Sequence, residues 1–112
     1  AVVLFGSYAE KRATEKSDID LAILFEERHI PDPMTLIDWR EDLMGLLGKE
    51  VDLLCLNDAS PIIGMQIHKN GETLIINSQR KYDECQMRLF TDYADLKLII
   101  KKHKKQRFKL QR

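Results

Sequence analysis

Leu4-Phe5-Gly6-Ser7-Tyr8-Ala9 ends an apolar run on two small residues, and ten residues separate Ser7 from Asp18-Ile19-Asp20. A small-residue turn after a strand can present backbone N–H groups to phosphate oxygens. Carboxylates at i and i+2 on a strand share one face. At neutral pH they repel each other, and a divalent cation removes that penalty. Mg²⁺ takes carboxylate, phosphate and water oxygens. The spacing therefore points to a metal and polyphosphate site.

A third carboxylate is expected, and Glu50-Val51-Asp52-Leu53-Leu54-Cys55-Leu56 supplies it. Asp52 reads as an acid inside an apolar strand, where burial is costly unless it is paired or metal-bound. The plainer reading is an acid at the start of the strand, facing solvent.

These carriers need a scaffold. Residues 2–5 predict a first strand. Residues 7–12 predict a short helix. Residues 19–25 predict a second strand, with Ile19, Leu21, Ile23 and Phe25 alternating against Asp18, Asp20, Ala22 and Leu24. Asp32-Pro33 marks a helix start and Gly48 its stop, with Leu36, Leu43, Met44 and Leu47 between them. Residues 51–56 predict a third strand. Pro61 to His68 predicts a largely buried helix carrying Ile62, Ile63, Met65 and Ile67. Asn70-Gly71 is a turn, and residues 72–77 predict a fourth strand. From Gln79 to about Lys109 runs one long helix, with Tyr82, Cys85, Leu89, Tyr93, Leu96 and Ile100 on one face. The 25–51 connection is long enough for a helical crossover, which allows parallel pairing of strands two and three.

The chain has 112 residues, 44% hydrophobic and 32% charged, with a formal net charge of zero. That suits one globular domain and gives no overall field for nucleic acid. No apolar run approaches the roughly 20 residues of a membrane helix, and no signal-peptide pattern opens the chain. A cytoplasmic location is the expectation. Cys55 and Cys85 fit no zinc spacing and read as unbridged thiols. His29, His68 and His103 share no ligand spacing and read as local or surface residues. Trp39 and Tyr8 read as packing residues that could alternatively stack on a base. The basic run Lys101–Lys109 reads as a solvated helix end, with an acidic partner or RNA phosphate as the functional alternative.

Gly-Ser, Asp-x-Asp and a later strand Asp resemble the polymerase-β-like nucleotidyltransferases, and most of all the small MNT-type antitoxins paired with HEPN toxins. Residues 4–25 carry most of the likeness, and Val51-Asp52-Leu53-Leu54 adds to it. The resemblance implies an α/β fold: a mixed sheet of about four strands with flanking helices and a long C-terminal helix. Strands one and two would be antiparallel. It implies one nucleotidyltransferase domain over residues 1–112; family members usually carry a helix before the first strand, and whether one precedes Ala1 is left open. It assigns nucleotide binding to Gly6 and Ser7. Asp18, Asp20 and Asp52 become the catalytic and metal-binding acids. Mg²⁺ is the implied cofactor and ATP the substrate.

AMP would pass to a hydroxyl, in this family a tyrosine of a partner HEPN-type ribonuclease toxin encoded nearby. The Arg-x(4–6)-His signature of that toxin is absent here, which makes this chain the transferase half of the pair. A homo-oligomer remains open, and direct nucleic-acid binding is not expected. Many relatives carry Arg-Gly after Gly-Ser-x-Ala, whereas this chain has Glu10 and Lys11. Lys11 makes a left-handed conformation costlier there than Gly would. Arg12 or Lys11 is the candidate replacement for the arginine, solvated loop charges being the plainer reading. A contact-only antitoxin is the alternative function. A small-molecule transferase resembling the aminoglycoside-modifying enzymes is a third, for which the chain has no substrate-binding helical domain.

Overall fold

The computed structural model describes the backbone of residues 1–110 and the side chains of residues 1–104. Four strands form one sheet: β1 (Val2–Phe5), β2 (Ile19–Ile23), β3 (Val51–Cys55) and β4 (Glu72–Ile75). Their order is β3-β2-β1-β4. β1 pairs antiparallel with both β2 and β4, while β2 and β3 run parallel. Three helices complete the order: α1 (Pro33–Leu47), α2 (Pro61–Asn70) and α3 (Gln79–Leu110). This is the mixed α/β arrangement expected, with α1 as the crossover between the two parallel strands.

Local chemistry sets most boundaries. The Asp32 carboxylate accepts from the Thr35 N–H at 2.8 Å and caps α1 ahead of Pro33. That bond also holds the Asp32 carboxyl below the usual carboxylate range. Gly48 ends α1 in the left-handed region at φ 65°. Ser60 caps α2, and the Gly71 N–H closes its last turn on the Ile67 carbonyl at 2.7 Å.

The main core lies on one side of the sheet. Val3, Ala22, Leu56, Ile67, Tyr82, Cys85 and Leu89 form a buried cluster from β1, β2, α2 and α3. Gly64 lets α2 meet Leu89 of α3 closely, since a Cβ there would lie 3.0 Å from Leu89 Cδ1. α1 packs beside β3.

Several expectations needed adjustment. β2 stops at Ile23, two residues early, because Asn57 takes the backbone groups of Phe25. The Phe25 N–H donates to Asn57 Oδ1, and Asn57 Nδ2 donates to the Phe25 carbonyl, both at 2.9 Å. A side chain thus continues the ladder that a strand would have continued. β3 ends at Cys55 and β4 at Ile75. α2 is less buried than expected: only Gly64 and Ile67 are buried, and Ile62 and Ile63 are exposed. In the α3 stripe, Tyr82, Cys85 and Leu89 are buried, Tyr93 and Leu96 half-buried, and Ile100 exposed. A 32-residue helix spans about 48 Å, far more than a strand of four or five residues. Its second half outruns the sheet. Residues 105–109 of the basic run lie outside the described side chains.

Candidate functional site

The register of the sheet builds the site. Phe5 stands opposite Asp20 on β1, and Asp20 stands opposite Asp52 on β3. Phe5, Asp20 and Asp52 therefore form one row across three strands. Directly opposed like charges destabilise a sheet, so a fold gains nothing from this pair on its own. Asp20 is half-buried and Asp52 exposed, which corrects the expectation of a buried Asp52. The position remains, at the N-terminal end of β3. Asp18 is also exposed and lies just ahead of β2.

The Asp20 carboxyl is pushed above its usual range. Partial burial is the largest cause, followed by the charge and hydrogen bond of Asp52 and then the charge of Asp18. Asp20 thus senses both other acids, Asp52 more strongly than Asp18. Among the described residues, no three His, Cys, Asp or Glu side chains converge as a preformed cage. The chemistry of the donor set nonetheless fits a hard divalent cation, since carboxylate oxygens are what such an ion prefers.

Gly6 follows the row at φ 73°. A Cβ there would run into Asp20 Oδ2 and lie 3.1 Å from its Cγ. The missing side chain is what lets the carboxyl lie against the turn. Residues 7–12 form a single turn, not the short helix expected. The Glu10 N–H donates to the Gly6 carbonyl at 3.0 Å, Arg12 to Ser7 at 2.9 Å and Lys11 to Tyr8 at 3.4 Å. The last two bonds, around a left-handed residue, make a Schellman closure. That residue is Lys11, at φ 57°. The chain keeps the left-handed conformation without the glycine. The N–H groups of Ser7, Tyr8 and Ala9 donate to no acceptor among the described residues. They follow directly on Gly6, whose backbone lies against the Asp20 carboxyl, and unpaired N–H groups in a turn are what an anion site uses.

Arg12 pairs with Glu10 at 2.9 Å and is largely exposed, which favours the solvated-charge reading of that loop. Tyr8 lies under the Lys49 ammonium, 5.4 Å from its ring centroid. Lys49 Nζ also reaches the Glu15 carbonyl at 3.5 Å. A cleft of about 510 Å³ opens here, lined by Lys16, Ser17, Asp18, Gly48, Lys49 and Glu50 among others. The larger cavity, about 640 Å³, lies at the opposite end of β2 around Phe25, Arg28, Lys81 and Arg88. The smaller one reaches Asp18. Sequence reasoning missed Lys49, for which the signal was its place two residues ahead of β3.

Trp39 is 42% exposed, its ring 6.0 Å from that of Phe25, so it is not the core residue expected. Cys55 and Cys85 are free thiols. Burial pushes both above the usual thiol range, which makes them poor nucleophiles. Among the described residues, no helix is long and apolar enough to cross a membrane.

The family "Polymerase beta, Nucleotidyltransferase" matches residues 1–80. A putative protein adenylyltransferase of Methanocaldococcus jannaschii is 41% identical over 54 residues, 48% of this chain and 54% of that protein. Protein adenylyltransferase MntA of Thermococcus cleftensis is 45% identical over 51 residues, 46% of this chain and 50% of that protein. The chain spans about half the length of the curated relatives it matches. Among solved structures, a toxin–antitoxin crystal structure with AMP-PNP superposes with a TM-score of 0.82 at 24% identity, over 96% of this chain and 84% of that one. An MNT antitoxin in complex with the tri-AMPylated HEPN toxin of Shewanella oneidensis gives a TM-score of 0.74 at 23% identity, covering 96% and 81%. At these identities the structural likeness shows the fold.

Proposed function

The chain belongs to the polymerase-β nucleotidyltransferase family, and from that premise we propose that it transfers AMP from ATP to a protein hydroxyl. The row of Phe5, Asp20 and Asp52, with Gly6 cut back to admit Asp20, carries the proposal. Asp18, Asp20 and Asp52 would hold Mg²⁺. When bound, the ion supplies Lewis-acid stabilisation of the phosphoryl oxygens and of the leaving pyrophosphate.

The remaining work falls to the chain. The free N–H groups of Ser7, Tyr8 and Ala9 would orient the triphosphate. Gly6 and Ser7 set the path of that turn. Asp52, exposed near the start of its strand, would accept the proton of the attacking hydroxyl. A bond forms between the acceptor oxygen and the α-phosphorus, and the bond to pyrophosphate breaks. The raised proton affinity of Asp20 means that metal binding releases a proton when that carboxyl is protonated.

The acceptor proposed is a tyrosine of a HEPN-type ribonuclease toxin, which would make this chain an antitoxin. Two findings support a protein partner: the similar solved structures are toxin–antitoxin complexes, and α3 carries an apolar surface beyond the sheet. Leu98 and Ile99 there are 61% and 54% exposed. Co-expression with the neighbouring toxin gene tests the reading. Wild type should restore growth and Asp18→Asn/Asp20→Asn should not. Equal rescue by both would assign neutralisation to contact alone.

A further inference from the structure

We propose that Arg40 is a positioning residue, which fixes the N-terminal end of β3 and so holds Asp52 opposite Asp20. The inference rests on the site proposed above and adds a residue that touches neither the acids nor the phosphate turn.

Among the described residues, β3 is an edge strand with β2 as its one sheet neighbour. Ile19 pairs with Val51, and the Ile19 N–H donates to the Glu50 carbonyl at 2.9 Å. In a parallel ladder the residue opposite such a donor turns its own N–H and C=O outward. The Val51 carbonyl therefore faces the unpaired edge. Val51 is fully buried, so that carbonyl needs a protein partner.

Arg40 supplies it from α1. Its Nε donates to the Val51 carbonyl at 2.6 Å, a charge-assisted bond. The same guanidinium approaches Glu50 at 3.6 Å. Residues 50 and 51 are thus gripped from both sides, by Ile19 and by Arg40, and Asp52 is the next residue. Repulsion between ionised Asp20 and Asp52 pushes β3 away from β2. Arg40 ties the Val51 carbonyl to α1 and so fixes where that end of β3 sits under this load.

The test uses Arg40→Met, which keeps the aliphatic stem and removes the donors, with Arg40→Lys as the conservative variant. Glu50→Gln removes only the ion pair. Amide hydrogen exchange in the ligand-free protein should quicken about tenfold at Ile19 in Arg40→Met, with Leu4 of β1 within about twofold. In AMP transfer with labelled ATP, kcat should fall about 10–100-fold and KM for ATP move less than about threefold. Arg40→Lys should recover part of the loss, and Glu50→Gln, which keeps the bond from Arg40 to the Val51 carbonyl, should quicken exchange at Ile19 less than Arg40→Met does. If Arg40→Met does not fold, Arg40→Lys carries the same comparison, with smaller changes in the same directions.

Unchanged exchange at Ile19 would overturn the positioning role. So would wild-type kcat in the Arg40 variants. Faster exchange in a protein whose wild type transfers no AMP would leave the positioning role standing and overturn the transferase reading instead.

Discussion

Gly6 and Gly48 allow a matched experiment. Both have positive φ, 73° and 65°. A Cβ at Gly48 meets nothing within 4 Å, whereas one at Gly6 collides with the Asp20 carboxyl. Alanine in the left-handed region costs about 1–2 kcal/mol at either position. Gly6→Ala adds the cost of forcing Asp20 off its rotamer, about 0.5–1.5 kcal/mol. Each kcal/mol lowers Tm by about 4 °C in a domain of this size. Gly48→Ala should therefore melt about 4–8 °C lower, and Gly6→Ala a few degrees lower again. Activity should separate them far more. A displacement of about 1 Å at a reacting centre costs on the order of 100-fold in rate. Gly6→Ala should lose that much AMP transfer, assayed with labelled ATP at a temperature where both variants are folded. Gly48→Ala should stay near wild type. Equal transfer by the two variants would refute the argument that Gly6 exists to seat Asp20.

Lys11→Gly relieves a left-handed lysine and should raise stability by about 1 kcal/mol in urea titration, the loop path unchanged. Gly45→Ala, where a Cβ meets nothing within 4 Å inside α1, should raise stability by about 0.5–1 kcal/mol in the same titration. Gly64→Ala drives a methyl into Leu89 at the α2–α3 contact and should cost about 1–3 kcal/mol. Asp20→Asn should stabilise the metal-free protein at pH 7 while abolishing transfer. The sign follows from linkage: a carboxyl raised above 3.8 in the fold contributes a destabilisation that appears as pH rises through the folded value. The melting gain of Asp20→Asn should thus shrink as pH falls toward 3.8. It should be small throughout, because water screens a carboxyl this exposed.

Much of the fold was legible because its boundaries are set locally. Asp32-Pro33, Pro61 and Gly48 mark ends through their own side chains or dihedrals and fall where expected, whereas α2 runs on to Asn70, two residues past its expected end. The strand ends were less legible. Asn57 stops β2 by a contact 32 residues away, which no local pattern carries. Asp52 read as buried because its neighbours are apolar, yet β3 is an edge strand and its end opens to solvent. Lys11 shows the reverse case. Its side chain argues against a left-handed turn, and the Schellman bonds of Lys11 and Arg12 hold that turn regardless. The facing of Asp20 and Asp52 depends on the β2–β3 register, and the part played by Arg40 depends on α1 crossing beside β3. Neither is written in residue spacing.

Intact-mass spectrometry decides whether AMP is transferred. The protein is incubated with Mg²⁺, ATP and the purified product of the neighbouring gene. An adduct of about 329 Da is expected on that partner, one AMP unit with pyrophosphate released, and none with Asp18→Asn/Asp20→Asn. An unmodified partner in a stable complex that binds ATP would rule transfer out.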